Sequence, residues 1–282
     1  MIRITDLTFG YNRKNLLFQQ FNLSLQPGNI YGLLGLNGSG KSTLLKSIAG
    51  LLYPLKGRVE VNGFQSGKRE ASFLSTVCFI PEEVYVPGIT AERYVNLFAP
   101  FYPLFNRDQF ATYLQIFDIA TDKKLDKLSY GQQKKFVIAF GLACNTATLL
   151  LDEPTNGLDI PSKKQFRKLI ASVMNEDRIM VVSTHQVRDL DSLIDQVIIV
   201  NNGVLLLNES LPAVEEKLFF GIVEHTAGRQ DILYAESVLK GEAIVATNDA
   251  RQFSKINLEH LFNATVEHPD EIKKLFNGET HE

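Results

Sequence analysis

The sequence predicts an α/β fold with a β-rich N-terminal part, a mostly parallel core sheet, a helical subdomain inserted into that sheet, and a small α+β appendage at the C-terminus. Three observations carry this expectation. A short apolar run at 30–34 passes through a Gly-rich stretch into a segment of helical periodicity. Two further apolar runs, 148–151 and 179–183, are separated by a helical stretch at 162–174, the pattern of buried parallel strands joined by a crossover helix. From about 87 to 128 an aromatic-rich helical pattern replaces the β pattern.

Residues 1–8 and 18–25 alternate apolar and polar side chains, as half-buried strands do, and 29–34 is a short apolar strand. In 41–52, Leu44, Leu45, Ile48, Leu51 and Leu52 recur at helical spacing, and 57–63 reads as another short strand. The helical subdomain, placed at about 87–135, has Tyr94, Leu97 and Phe98 on one face and Phe110, Tyr113, Leu114 and Phe117 on another, with Pro100 and Pro103 dividing it. The character shifts again at 208–212, so a boundary is expected near residue 210, giving domains 1–210 and 211–282. In the appendage a short helix (213–220) precedes two alternating runs (231–237 and 242–247) and an amphipathic helix carrying Leu258, Leu261 and Phe262. The final helix starts at Pro269, with Asp270 and Glu271 in its first turn, Lys273 and Lys274 near its end, and Gly278 beyond.

Composition narrows the function classes. Apolar residues make up 45% and charged residues 22%, an ordinary globular balance. A net charge of −3 argues against a nucleic-acid surface, and Arg13, Lys14, Lys134 and Lys135 are too few and scattered to form one. The N-terminus lacks the apolar core of a signal peptide, and no run reaches the roughly 18 apolar residues that span a bilayer. Cys78 and Cys144, both in apolar surroundings, read as buried thiols in a reducing compartment.

The stretch Gly35-Leu-Asn37-Gly38-Ser39-Gly40-Lys41-Ser42-Thr43 fits the phosphate-loop pattern, and it stands between a strand and a helix as that pattern requires. Glycines let backbone N–H groups turn toward phosphate oxygens, and the following helix adds its positive end. Lys41 is expected to reach the β- and γ-phosphates, with the Ser42 hydroxyl on Mg²⁺. The strand at 148–151 ends in Asp152-Glu153, and paired acids at a buried strand tip need compensating cations or a ligand. Asp152 suits Mg²⁺ coordination, and Glu153 suits polarising the attacking water as general base.

Five more features stand around these. Tyr11 follows the first strand, and Ile80-Pro81-Glu82-Glu83 precedes the helical subdomain. Leu128-Ser129-Tyr130-Gly131-Gln132 precedes the paired acids, and Asn156-Gly157-Leu158-Asp159 follows them. Val181-Val-Ser-Thr184-His185 closes the next strand, placing His185 at a strand C-terminus, where open α/β sheets bind ligands. In this order the landmarks closely resemble the ATP-binding subunits of ABC transporters, over essentially residues 1–210.

The resemblance implies a P-loop NTPase fold of the ABC type, whose N-terminal β part is antiparallel, with ATP and Mg²⁺ as cofactors. It implies that Tyr11 stacks on adenine and that Ser129, Gly131 and Gln132 act in trans, closing over the γ-phosphate held by a second subunit. Tyr130 replaces the first glycine of the usual Leu-Ser-Gly-Gly-Gln, and its side chain must point away from the nucleotide. Asp159 is implied at the dimer contact and His185 at the γ-phosphate. Glu82 stands where the family usually has a glutamine that touches Mg²⁺, and is implied to serve the metal or its water.

Two copies, or one copy and a close homologue, would then pair head to tail around two ATP molecules and drive transport through separate integral membrane permease subunits. The expected location is cytoplasmic, peripheral on the inner face of the cell membrane. The appendage, with "ILYAES" and "INLEHLFNATVEHP", looks similar to extensions of ABC-2-type exporter ATPases. The alternative is a soluble, non-transport ABC ATPase serving assembly, ribosome or repair work. A degenerate module that binds without hydrolysing is disfavoured by the intact Lys41, Asp152, Glu153 and His185.

Overall fold

Alternation decides the first sheet. Strands β1 (Ile2–Phe9) and β2 (Phe18–Leu25) each turn one set of apolar side chains inward, among them Ile2, Ile4, Leu7, Phe18 and Leu25. The computed structural model describes residues 1–12, 14–189, 193–226 and 231–277, so Arg13 and Gly278 of the sequence reading lie outside the described residues. Strand β3 (Asn29–Leu34) runs through the Gly-rich turn into α1 (Lys41–Ile48). After it come β4 (Lys56–Val61), β5 (Phe64–Gln65), the short helix α2 (Ala71–Leu74) and β6 (Val77–Ile80). Helices α3 (Ala91–Phe98), α4 (Arg107–Ile116) and α5 (Tyr130–Ala143) follow, then β7 (Thr148–Asp152), α6 (Ile160–Val173) and β8 (Ile179–Thr184). Strands β9 (Gln196–Asn201) and β10 (Val204–Ser210) form a hairpin. The chain ends with α7 (Leu211–Lys217), β11 (Leu218–Val223), β12 (Ile232–Val238), β13 (Gly241–Thr247), α8 (Leu258–Glu267) and α9 (Pro269–Asn277).

These strands make three sheets. An antiparallel sheet has the order β2-β1-β4-β5. The core sheet, β10-β9-β3-β8-β7-β6, is parallel except at its β10 edge. A third, antiparallel sheet, β11-β13-β12, lies in the C-terminal part.

The core sheet is buried on both faces, which is why its strands read as unbroken apolar runs. On one face Leu33, Leu150, Val181 and Ile198 meet α1 and the antiparallel sheet through Leu44, Leu45, Ile48 and Phe18. On the other, Leu34, Leu149, Leu151, Met180 and Val182 belong to a cluster with Phe136 of α5 and Phe166 of α6. That cluster continues into the C-terminal part through Val214, Leu218, Val245, Leu261 and Ile272, so the appendage shares the core of the nucleotide-side sheet. The helical subdomain is held by stacked rings: Tyr94 meets Phe136 and Phe140 edge-on at 5.1 Å, and Phe110 meets Phe136 at 5.6 Å.

Two expectations need correction. The first helix stops at Ile48, and Leu51 beyond it is 46% exposed rather than on the buried face. The helix expected at 213–220 gives way at Leu218, because Leu-Phe-Phe-Gly-Ile-Val pairs with β13 along its whole length. Helix α5 runs across residue 135 to Ala143 and packs on β6 of the core sheet through Gly141, where a Cβ would stand 2.6 Å from Ile80. Strands β6, β9 and β10 were not read from the sequence; the first has only four residues.

Candidate nucleotide site

Strand register brings the site together. Leu34, the last residue of β3, pairs with Thr184, the last of β8, while Asp152 at the end of β7 pairs with Ser183. Three strand ends therefore deliver the Gly-rich loop, the paired acids and His185 to one edge of the sheet.

The loop is shaped by its glycines and by packing behind it. Gly38 and Gly40 adopt left-handed backbone, φ +80° and +111°, which only glycine holds without strain. A Cβ on Gly35 would collide with the Ser39 hydroxyl at 2.4 Å and the Val200 carbonyl at 2.5 Å. No side chain caps the first turn of α1, so its N–H groups face the loop uncapped. The Lys41 ammonium donates to the carbonyls of Gly35 (2.9 Å) and Leu36 (3.2 Å) and stands 3.6 Å from Glu153 Oε1. Tyr11 is 70% exposed beside this helix, its ring edge-on to Phe9 and its hydroxyl 2.9 Å from Thr43 Oγ1.

Asp152 and Glu153 are buried to 3% and 4% relative exposure, and their partners explain how that is tolerated. The Ser183 hydroxyl donates to Asp152 Oδ1 (2.7 Å) and accepts from the Glu153 N–H (3.0 Å). The fully buried Lys134 donates to the carbonyls of Glu153 (2.7 Å) and Asn156 (3.0 Å). Glu153 is thereby clamped on both sides of its backbone in a left-handed conformation, φ +44°, that a non-glycine residue adopts at a cost. Burial pushes the Lys134 ammonium down to about 8, against the opposing pull of Glu82, Glu153 and Asp152. His185 Nδ1 lies 2.9 Å from Glu153 Oε1, so the ring and the carboxylate act on one another directly.

Two buried polar atoms among the described residues have no hydrogen-bond partner: Ser39 Oγ in the loop and Glu153 Oε2 opposite it. Orphans of this kind mark a ligand-facing surface. The residues also fit Mg²⁺. Among the described residues no group of three or more His, Cys, Asp or Glu side chains forms a metal cage, and Mg²⁺ is characteristically held by one or two carboxylates plus phosphates and water. Ser42 and Asp152 would hold it, Asp152 through the oxygen Ser183 leaves free. Glu82 Oε1 accepts from Asn156 Nδ2 at 2.8 Å.

The residues expected to act in trans form a separate group. Ser129 caps α5 in a capping box, its N–H donating to Gln132 Oε1 (3.0 Å) and its hydroxyl accepting from the Gln132 N–H (3.3 Å). Ser129, Gly131, Gln132 and Asp159 line one recess of about 530 Å³, whose lining shares no residue with the Lys41–Glu153 cluster. Asp159 caps α6 by accepting from the Ser162 N–H at 2.9 Å. Tyr130 turns away from this recess's polar groups, its hydroxyl donating to the Glu82 carbonyl at 3.0 Å.

Sequence reasoning missed Lys134 and Ser183. The signal for Lys134 is its place in a Lys-Lys pair of α5, on the helix side buried through Phe136, Ile138 and Leu142. Ser183 sat unremarked inside a strand-end motif, where a hydroxyl among apolar neighbours marks a buried polar partner.

Comparison with known proteins agrees with this geometry. A family model described as "ABC transporter" matches residues 18–156. The bacitracin transport ATP-binding protein BcrA of Bacillus licheniformis is 33% identical over 219 residues, covering 75% of this chain and 70% of that protein. The SkfA peptide export ATP-binding protein SkfE of Bacillus subtilis (strain 168) is 30% identical over 205 residues, covering 71% and 85%. A dimeric bacterial ABC transporter cassette of known structure superposes with a TM-score of 0.66 at 25% identity, covering 75% of this chain and 99% of that one. With its loop, paired acids and strand-end histidine assembled on such a fold, the chain belongs to the ABC transporter family, as one of its ATP-binding proteins.

Proposed function

We propose that this chain is the ATP-hydrolysing subunit of an exporter, working as a head-to-tail dimer with a second copy or a close homologue. The observation that carries the reading is the buried cluster at three strand ends, Lys41, Asp152, Glu153 and His185, set apart from the Ser129–Asp159 recess. One subunit supplies the phosphate loop and the base. The other supplies Ser129, Gly131 and Gln132, so closure depends on nucleotide bridging both.

In this reading residues 1–210 form the ATP-binding domain and 211–282 an appendage. Tyr11 offers its exposed ring to adenine. Ser42 and Asp152 would hold Mg²⁺, which when bound would supply charge neutralisation at the transferring phosphoryl group. Glu153 takes the proton of the attacking water, and His185 orients that carboxylate through the 2.9 Å contact and reaches the γ-phosphate. Loss of the γ-phosphate removes the bridge and lets the dimer open.

No helix among the described residues is long and apolar enough to cross a membrane. In this reading separate permease subunits carry the cargo and hold the chain at the inner face of the membrane. The relative named for peptide export supports the export direction.

The test uses Glu153→Gln and the wild type. With ATP, the variant should elute as a dimer in gel filtration and hydrolyse at least about 100-fold more slowly; wild-type hydrolysis would remove Glu153 as base. Affinity capture from solubilised membranes should recover a multi-span protein. Recovery of only soluble partners would favour the assembly or ribosome alternative.

A further inference from the structure

Tyr130 occupies the position where the resembling family carries a glycine, and it has two partners that a glycine could not reach. Its hydroxyl donates to the Glu82 carbonyl at 3.0 Å. Its ring lies against Gly157, where a Cβ would stand 3.1 Å from Cε1 and 3.2 Å from Cδ1; Gly157 also has φ +79°. The next residue, Gly131, is as close to the same loop, a Cβ there standing 3.2 Å from the Gly157 carbonyl. The triangle is closed by Glu82, whose carboxylate accepts from Asn156 Nδ2 at 2.8 Å.

Three segments far apart in sequence are thus tied at one point. Residues 81–83 follow β6, where the chain leaves the core sheet for α3. Residues 156–157 follow β7 and the base Glu153, and Lys134 of α5 holds the Asn156 carbonyl from below. Residues 129–131 open α5 and face the partner. A phenol suits this task because its rigid ring carries a polar tip on only two rotatable bonds.

We propose that Tyr130 is a positioning residue: it fastens the α5 end offered to the partner subunit to the two loops beside its own subunit's base, so that each half-site is aligned by the other. The proposal rests on the head-to-tail dimer described above. It also reassigns Glu82, which serves as the anchor of this tie through its backbone carbonyl and its bond to Asn156.

The experiment uses the full chain and the conservative variant Tyr130→Phe, which keeps the ring on Gly157 and removes only the hydroxyl. In the protein without ATP, amide hydrogen exchange at Val84, whose N–H also meets the Tyr130 hydroxyl, should quicken about fivefold, the weight of one net hydrogen bond, while exchange within α1 is unchanged. In a Glu153→Gln background, the ATP-dependent dimer should dissociate about fivefold more readily, with ATP affinity of the monomer altered less than about twofold. Tyr130→Gly should enlarge both effects. Unchanged exchange at Val84 overturns the tie. Altered exchange with an unchanged dimer constant overturns its role in aligning the half-sites. If Glu153→Gln itself forms no dimer with ATP, the head-to-tail reading fails and takes the alignment role with it, while the exchange measurement alone still decides the tie.

Discussion

Replacing Lys134 by Met separates stability from catalysis, because the lysine is at once a burden and a clamp. The side chain is fully buried and donates to two carbonyls, those of Glu153 and Asn156. Leaving both without a donor costs about 1–3 kcal/mol each. Against that, burial has driven the ammonium from 10.5 to about 8, and removing a cation so disfavoured returns about 3 kcal/mol at pH 7. The two effects offset, so the urea-derived stability of Lys134→Met should lie within about 3 kcal/mol of the wild type. Turnover has no such offset. Glu153 keeps its left-handed backbone only while its N–H and carbonyl are both held, and a shift of about 1 Å in a catalytic group can lower the rate by about 100-fold. Steady-state hydrolysis at saturating ATP is the assay. A turnover within about threefold of wild type, in a variant that folds, would refute the clamp.

The same substitution has a pH signature. Between about 8 and 10.5 the unfolded chain holds the lysine's proton and the folded protein does not, so the wild type gains stability as pH rises through that window, by up to about 1.4 kcal/mol per unit. Lys134→Met should lack this rise in urea melts taken from pH 7.5 to 10. Lys41→Ala removes the donor to the Gly35 and Leu36 carbonyls and the cation facing Glu153; a fluorescent-nucleotide titration should show ATP affinity down by at least about 30-fold, the order of a charge-assisted bond lost, and unchanged affinity would sink the phosphate-loop assignment. Ser183→Ala strips a buried partner from Asp152 Oδ1 and from the Glu153 N–H; it should lower stability by about 2–4 kcal/mol in urea, and a loss under about 0.5 would show that these groups find other partners. Tyr11→Ala removes an exposed ring and its bond to Thr43, so the Michaelis constant for ATP should rise severalfold with turnover at saturation kept; an equal fall in turnover would argue against stacking.

The residues proposed to meet the nucleotide were legible in the sequence, and those that hold them in place were not. Lys41, Asp152, Glu153 and His185 belong to short motifs whose chemistry is local, and the register of β3, β7 and β8 delivers them to one sheet edge as expected. The α/β class followed from apolar runs whose burial on both faces is visible in Leu149, Leu150 and Leu151, which divide between two cores. Lys134 and Ser183 act from other elements, and all of their partners but the Asp152 carboxylate are backbone atoms that no residue pattern displays. Strand β6 was lost because its four residues are too few to show a period. Strand β11 was hidden because only its pairing with β13 distinguishes Leu218–Val223 from a continued helix.

A buried acid pair must be compensated, and here compensation and positioning are the same contacts. Ser183 spends its hydrogen bonds on the Asp152 carboxylate and the Glu153 N–H, and Lys134 spends its own on the carbonyls of Glu153 and Asn156, from behind the site. Lys41 and His185 meet the Glu153 carboxylate from the opposite, loop-facing side. Substitutions behind the site should therefore move turnover and stability while sparing nucleotide affinity, and the Lys41 substitution in front should move affinity first. Tyr130 fits the first class although it stands nearly half exposed, because its contacts are to the Glu82 carbonyl and Gly157 rather than to the polar groups of the Ser129–Asp159 recess. Exposure alone would have placed it on the wrong side of that division, and its hydrogen bond decides the matter.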